Sequence, residues 1–204
     1  MRTIADSRST RASRSSRFPD TALVIVLAIA LSVACGCTNA TTPSKRMADG
    51  KQWTTANLNV NTSPSYCFED AELNCRRYGR LYTWKSAQQV CQSLGDGWRL
   101  PTDAEWRQMA KHYGGINSDS ADSGKAAFKA LLSGGTSGFN AVLGGNRSPD
   151  GQYARSEAHG LYWTASDNDH ASAPIYNFGK GGQALHRGPQ GDKQMAISVR
   201  CIRD

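Results

Sequence analysis

Between Tyr78 and Trp106 the chain reads YGRLYTWKSAQQVCQSLGDGWRLPTDAEW, a run that holds two helix starts, one helix stop, three of the five tryptophans and a cysteine. Ala87, Val90, Cys91 and Leu94 recur at i, i+3, i+4 and i+7, which predicts an amphipathic helix with Thr83 placed to cap its start and Gly95 its end. Such a helix has one buried face, and Cys91 lies on it. Pro101 forces Leu100 into an extended conformation. Thr102-Asp103-Ala104-Glu105 then spells a capping box, in which the Thr102 hydroxyl and the Glu105 carboxylate satisfy each other's exposed backbone N–H groups. A second helix therefore begins at Thr102 and carries Trp106, Met109, Ala110 and Tyr113 inward. This density of signals is what the nucleus of a small domain requires.

Beyond it, Gly114 to Gly124 is a Gly/Ser/Asp loop, followed by a short helix from Lys125 to Leu132 with Phe128, Leu131 and Leu132 on one side and Gly134-Gly135 ending it. The remainder reads as strand: Phe139 to Leu143, a Ser148-Pro149-Asp150-Gly151 turn, Gln152 to Arg155, Leu161 to Ser166, Pro174 to Phe178, Gln183 to His186 and Met195 to Ile202. Helices first and an antiparallel sheet later predict an α+β domain.

The start of the chain is of another kind. Residues 1–20 are polar and carry five arginines, and Thr21 to Ala34 is almost unbroken apolar sequence of 14 residues. A spanning helix needs about 20 residues to cross about 30 Å of hydrocarbon, so this is an export signal, expected to occupy 1–34. Leu31-Ser32-Val33-Ala34-Cys35 resembles a bacterial lipobox, in which a cysteine after small residues is lipidated and becomes the mature N-terminus; Cys37 is a second candidate, and plain cleavage after Ala34 is the alternative to both. Several acyl chains on one cysteine anchor firmly, because each buried methylene adds about 0.8 kcal/mol. Neither Gly36 nor Thr38 is the aspartate that resembles an inner-membrane retention signal, so the expected address is the outer membrane or cell surface. Residues 35–46 are expected to be the lipidated cysteine and a flexible tether, and 47–204 the domain.

Removing residues 1–34 takes away five basic and two acidic residues, so the mature chain keeps 19 basic against 15 acidic, net +4 instead of +7. The remaining charge is spread out, without the basic stripe and interleaved aromatics that track a nucleic acid. Nucleic acid is not an expected partner.

Four further cysteines, Cys67, Cys75, Cys91 and Cys201, are an even set in an exported chain and argue for disulfides, with three pairings open. They contain no C-x-x-C, and no histidine stands at a ligand spacing from them, so no structural metal is expected. Asp167-Asn168-Asp169 is the densest run of oxygen ligands. Calcium takes about six to eight such oxygens and this run alone does not supply them, so calcium is at most a weak expectation. The histidines His112, His159, His170 and His186 are scattered, with no nucleophile partnered by spacing. Trp84, Trp98 and Trp106 read as core. Trp163 and Tyr162 are adjacent on a strand, so one of the two should face out. With Tyr176 they are the candidate stacking surface for a sugar.

Cys67…Cys75, Tyr78-Gly79-Arg80-Leu81-Tyr82-Thr83-Trp84, Cys91, Gly97-Trp98-Arg99-Leu100-Pro101-Thr102, Glu105-Trp106 and Ser198-Val199-Arg200-Cys201-Ile202-Arg203-Asp204 together resemble the Fibrobacter succinogenes major paralogous (FISUMP-like) domain of bacterial surface lipoproteins. Asp49-Gly50-Lys51-Gln52-Trp53 with Asn57-Leu58-Asn59 resembles that family's opening strand. The resemblance spans roughly Met47 to Asp204 and is loose between Lys111 and Met195. It implies a C-type-lectin-like fold shared with formylglycine-generating enzymes: two main helices packed on a small twisted antiparallel sheet, disulfide-linked. It further implies the pairings Cys91 with Cys201 and Cys67 with Cys75, the latter across a short polar loop, and it sets Asp167 to Asp169 among long variable connections. The sugar-binding members of that fold carry Glu-Pro-Asn or Gln-Pro-Asp triplets, and neither occurs here.

The expected function is a non-catalytic surface module, anchored to the membrane by lipid and binding a glycan or another envelope protein. The expected ligand-binding residues are Tyr162, Trp163, Asp167, Asn168, Asp169 and Tyr176, with no catalytic residue. Two alternatives stand beside it: an enzyme on the formylglycine-generating-enzyme-like fold, which would need reactive cysteines, and a purely structural envelope lipoprotein.

Overall fold

The structure, a computed structural model, describes residues 42–204. The expected signal peptide, Cys35 and Cys37 lie outside the described residues. In chain order the elements are β1 (Ser44–Arg46), β2 (Gln52–Thr54), β3 (Ser65–Tyr66), α1 (Glu72–Tyr78), β4 (Leu81–Tyr82), α2 (Trp84–Gln92), α3 (Asp103–His112), α4 (Lys125–Leu131), β5 (Gly144–Arg147), β6 (Tyr153–Ser156), β7 (His159–Trp163), β8 (Ser172–Gly179), β9 (Ala184–Asp192) and β10 (Ile202–Arg203).

The two helices of the nucleating run form where their end signals place them. In α3 both halves of the capping box are made, with Glu105 N–H donating to the Thr102 hydroxyl at 3.2 Å and Thr102 N–H to the Glu105 carboxylate at 2.9 Å. The apolar stripe of α2 buries Ala87, Val90 and Cys91, and that of α3 buries Trp106, Met109 and Ala110. Thr83 stands at the start of α2, but its hydroxyl bonds the Ser86 hydroxyl at 2.8 Å instead of a helix N–H.

The fold is a mixture of helices and three small sheets. Strands β1, β2 and β10 form one, β3 and β4 a second, and the third has the order β6-β5-β7-β8-β9. Its pairs are antiparallel except β5 with β7, which run parallel. Strand β7 is central and covered on both faces. Tyr162 packs with Trp106, Phe139 and Phe178 in one core, and Trp163 with Val90, Cys91 and Val199 in the other. This overturns the expectation that one of the two rings faces out: alternation sends one side chain to water only when one face of a sheet is wet.

Four other expectations are corrected. Ser44–Arg46 belongs to a strand and not to a tether; its polar side chains suit an edge, and Lys45 Nζ donates to the Ser137 carbonyl at 2.8 Å. Residues 72–78 are helix α1, not a polar loop; it buries only Cys75 and Tyr78 and so shows no apolar period. Phe139 to Leu143 is not a strand, and Ala141 makes a single bridge to Leu132. Met195 to Ile202 is not one strand either: Ala196, Ile197, Ser198 and Ile202 bridge in turn to Arg147, Tyr82, Tyr162 and Arg99, threading between sheets.

Disulfides join Cys67 to Cys75 and Cys91 to Cys201, with sequence separations of 8 and 110. On a chain-entropy model they contribute about 2.6 and about 4.8 kcal/mol. Gly79, at φ 77°, ends α1; a Cβ there would lie 2.6 Å from Asn57 Cβ and 2.8 Å from the Leu58 carbonyl, so the Tyr-Gly-Arg turn admits only glycine.

Arg200 is fully buried without a carboxylate partner among the described residues. Its guanidinium donates to Asn57 Oδ1 at 2.8 Å, to the Thr54 and Phe139 carbonyls at 2.9 and 2.6 Å, and to the Asn140 carbonyl at 2.7 Å, with the Phe139 ring 4.4 Å from the charge. Arg200→Met removes those donors and leaves buried oxygens unpaired at about 1–3 kcal/mol each. The variant is expected to lose at least about 3 kcal/mol of unfolding free energy. An unchanged urea midpoint would contradict this account.

Glu105 sits in a second network, where Arg99 holds its carboxylate through two bonds of 2.8 and 2.6 Å and Lys51 Nζ lies 3.6 Å away. Burial pushes the Glu105 pKa up, but the Arg99 guanidinium and the Thr102 backbone and hydroxyl outweigh it and bring it down to about 2. A depressed folded-state pKa gives stability that is complete above the unfolded value of about 4.3 and is lost as pH falls toward 2, at most on the order of 3 kcal/mol. Acid titration of stability is expected to flatten between about pH 4.5 and 2 in Glu105→Gln; a wild-type acid limb in that variant would refute the assignment.

Candidate functional site

Helix α4 borders an open cavity. Its start is set by Asp122, whose carboxylate accepts N–H bonds from Ala126 at 2.6 Å and Gly124 at 3.1 Å. Ala127, Phe128 and Leu131 turn inward, which leaves Lys125, Ala126, Lys129 and Ala130 on the outer side. The chain then doubles back through Gly134-Gly135, held by the Ser137 hydroxyl donating to the Ala130 carbonyl at 2.7 Å. The end of α3 contributes His112 and Tyr113, and the β8–β9 hairpin contributes Gln183. These elements surround a groove of about 980 Å³, at the upper end of the range of about 300–1,000 Å³ for ligand pockets. Phe128, Leu132 and Tyr113 supply its apolar walls, and Lys125, Lys129, His112, Ser133, Thr136 and Gln183 its exposed polar rim.

The residues singled out from sequence do not converge there. Tyr162, Trp163 and Tyr176 are fully buried and cannot stack on a sugar. Tyr176 stacks on Trp106 with ring centroids 5.0 Å apart and donates to Asp103 Oδ1 at 3.1 Å. Burial, with the Asp103 charge second, pushes its phenol far above the usual tyrosine range. Asp167, Asn168 and Asp169 are exposed, but their loop already uses them. Asp167 pairs with Lys193, and Asn168 donates to the Pro189 carbonyl. Asp169 accepts from the Ala171 and Ser172 N–H groups at 2.8 and 2.7 Å, and these bonds lower its carboxyl pKa.

Trp84 and Trp98 are half-buried instead of core, each with a cation over its ring: Lys193 Nζ at 4.1 Å from Trp84 and Arg203 at 4.8 Å from Trp98. A smaller recess of about 340 Å³ lies between Gln88, Gln92, Arg99 and Glu105, and its carboxylate is held by Arg99.

Cys67, Glu72 and Cys75 are the one group among the described residues close enough together to hold a metal ion. Their thiols are joined in a disulfide, and the Arg80 guanidinium lies 3.5 Å from both sulfurs, which places a cation where a metal would sit.

The sequence does not expose the groove residues, because the apolar spacing of 125–132 reports only the buried side of that helix. The signal present was on the other side: two lysines at i and i+4 flanked by alanines, then Gly-Gly. Because the Asp167 and Asp169 oxygens and both Cys67–Cys75 thiols are already bonded, millimolar calcium or zinc is expected to leave the thermal midpoint of the oxidised protein unchanged; a rise with either ion would reveal a site in those groups.

Compared with known proteins, residues 37–203 match the family model described as the Fibrobacter succinogenes major domain. No curated protein and no solved structure is significantly similar to the chain.

Proposed function

Since the chain belongs to the Fibrobacter succinogenes major domain family, we propose that it is an exported, lipid-anchored cell-surface module that binds glycan or an envelope protein without catalysis, on a C-type-lectin-like fold. The observation that carries this reading is the α4 groove, an open site with apolar walls and a rim of ammonium, amide and hydroxyl groups. Surfaces of that composition hold hydroxylated ligands by many weak contacts. The paired cysteines suit an oxidising compartment, as the export signal expected from the sequence would require. They also occupy the thiols that a reactive-cysteine enzyme would require. A disulfide from α2 to the segment before β10 matches the linkage that the lectin-like architecture implies.

Intact mass of the protein isolated from its own envelope tests the address. The expected species begins at a lipidated Cys35 or Cys37 and gains four hydrogens when its two disulfides are reduced. An unlipidated chain cut after Ala34 would overturn the anchor. Retardation in gels containing polysaccharide, or co-purification of an envelope protein, tests the binding role, and the absence of both would overturn it.

A further inference from the structure

The charged groups around the α4 groove are all of one sign. Lys125 and Lys129 line it, and no aspartate or glutamate does. Neither lysine has an ion-pair partner among the described residues. As a pair they work against the helix that bears them. Lys125 is the first residue of α4, where the positive end of the helix dipole disfavours a cation; Lys129 lies in the last turn, where the dipole favours one, but it repeats the charge at i+4, where like charges repel. Asp122 offsets the dipole by binding the Gly124 and Ala126 N–H groups, but it does not bridge the lysines. Residues that oppose the local stability of their own element mark positions kept for function.

We propose that this groove binds a carboxylated oligosaccharide, a chain containing uronate residues, with the Lys125 and Lys129 ammonium groups meeting its carboxylates. The inference rests on the binding-module reading above and names its ligand class. The two lysines are about 6 Å apart along the helix, comparable to the repeat of a pyranose chain. Tyr113 and Leu132, both half-buried, offer flat apolar surface to a sugar ring. The exposed Gln183 amide and the Ser133 and Thr136 hydroxyls supply partners for ring hydroxyls. A peptide fits less well. Docked peptides use sheet edges or rows of deep apolar pockets, whereas the walls here include Ala126, Ala130, Gly134 and Gly135. Two lysines also fall short of the basic track that a nucleic acid needs.

The test is calorimetric titration of the detergent-solubilised full chain with galacturonate and mannuronate oligomers, their methyl esters, and polyglutamate, repeated on Lys125→Gln/Lys129→Gln and Tyr113→Ala. Both lysines are exposed, so the double variant should fold, and near-ultraviolet circular dichroism checks that it does. Binding of a free-acid oligomer is expected to weaken at least tenfold on esterification, at least tenfold in the double variant, and steeply with added salt. Equal binding of acid and ester, lost in Tyr113→Ala, would overturn the acidic class and keep the binding module. Full binding in the double variant would place the site elsewhere. Equal binding of polyglutamate would overturn the saccharide. No binding of any oligomer would overturn the proposal; retention by neutral polysaccharides would then leave the module reading standing, and its absence there too would remove the glycan half of that reading.

Discussion

One buried positive charge organises this domain. Arg200 has no carboxylate to neutralise it, and removing a guanidinium from water is tolerable only if its donors find oxygens in good geometry. Those oxygens come from Thr54, Asn57, Phe139 and Asn140, so the end of β2 and the residues after it, the crossing between α4 and β5, and the approach to β10 must all arrive at one point. Burial lowers the Arg200 pKa, yet an arginine begins so high that it stays charged. A lysine would offer three donors from a single point and could not reach the same spread of acceptors. The Phe139 ring beneath the guanidinium adds a face that an ammonium would use less well.

From that point the interior divides in two. Strand β7 is the partition, with Tyr162 on one side and Trp163 on the other, and each ring anchors its polar atom to a carbonyl: Tyr162 donates to Val142 at 3.0 Å and Trp163 to Tyr82 at 2.7 Å. Residues suited to stacking a ligand are thereby absorbed into cores. The outer side of α4 faces the open groove, and its inner side fills the first core with Phe128 and Leu131. A single short helix thus serves the interior and the groove at once.

What could be read from the residues follows from how local each signal is. The α2 and α3 boundaries were legible because a 3.6-residue period and, at Thr102, a capping box act within a few positions; Thr83 marks the start of α2 without a capping bond. Helix α1 was not, since a seven-residue helix that buries only Cys75 and Tyr78 has no period to detect. The run from Met195 to Ile202, rich in apolar residues, reads as a strand. Its residues are buried by several different partners in succession, and hydrophobicity alone cannot tell that path from a ladder. The disulfide pairing came from likeness to a family, because three pairings satisfy the spacing equally. The groove stayed hidden for a related reason: Lys125 and Gln183 are far apart in sequence, and solvent-exposed polar residues carry no pattern that says they meet.

The threading of residues 196–202 also bears on how the domain comes into being. Those residues bridge to Arg147, Tyr82, Tyr162 and Arg99, supply the buried cation, and carry the cysteine that locks α2. No earlier stretch of chain can close the structure without them, so productive collapse needs contacts of long sequence separation. Long-range closure of this kind slows folding, because loop entropy must be overcome before the contacts form. For the exported protein proposed here slow closure would be useful, since a polypeptide that has not yet closed remains threadable through a translocation channel.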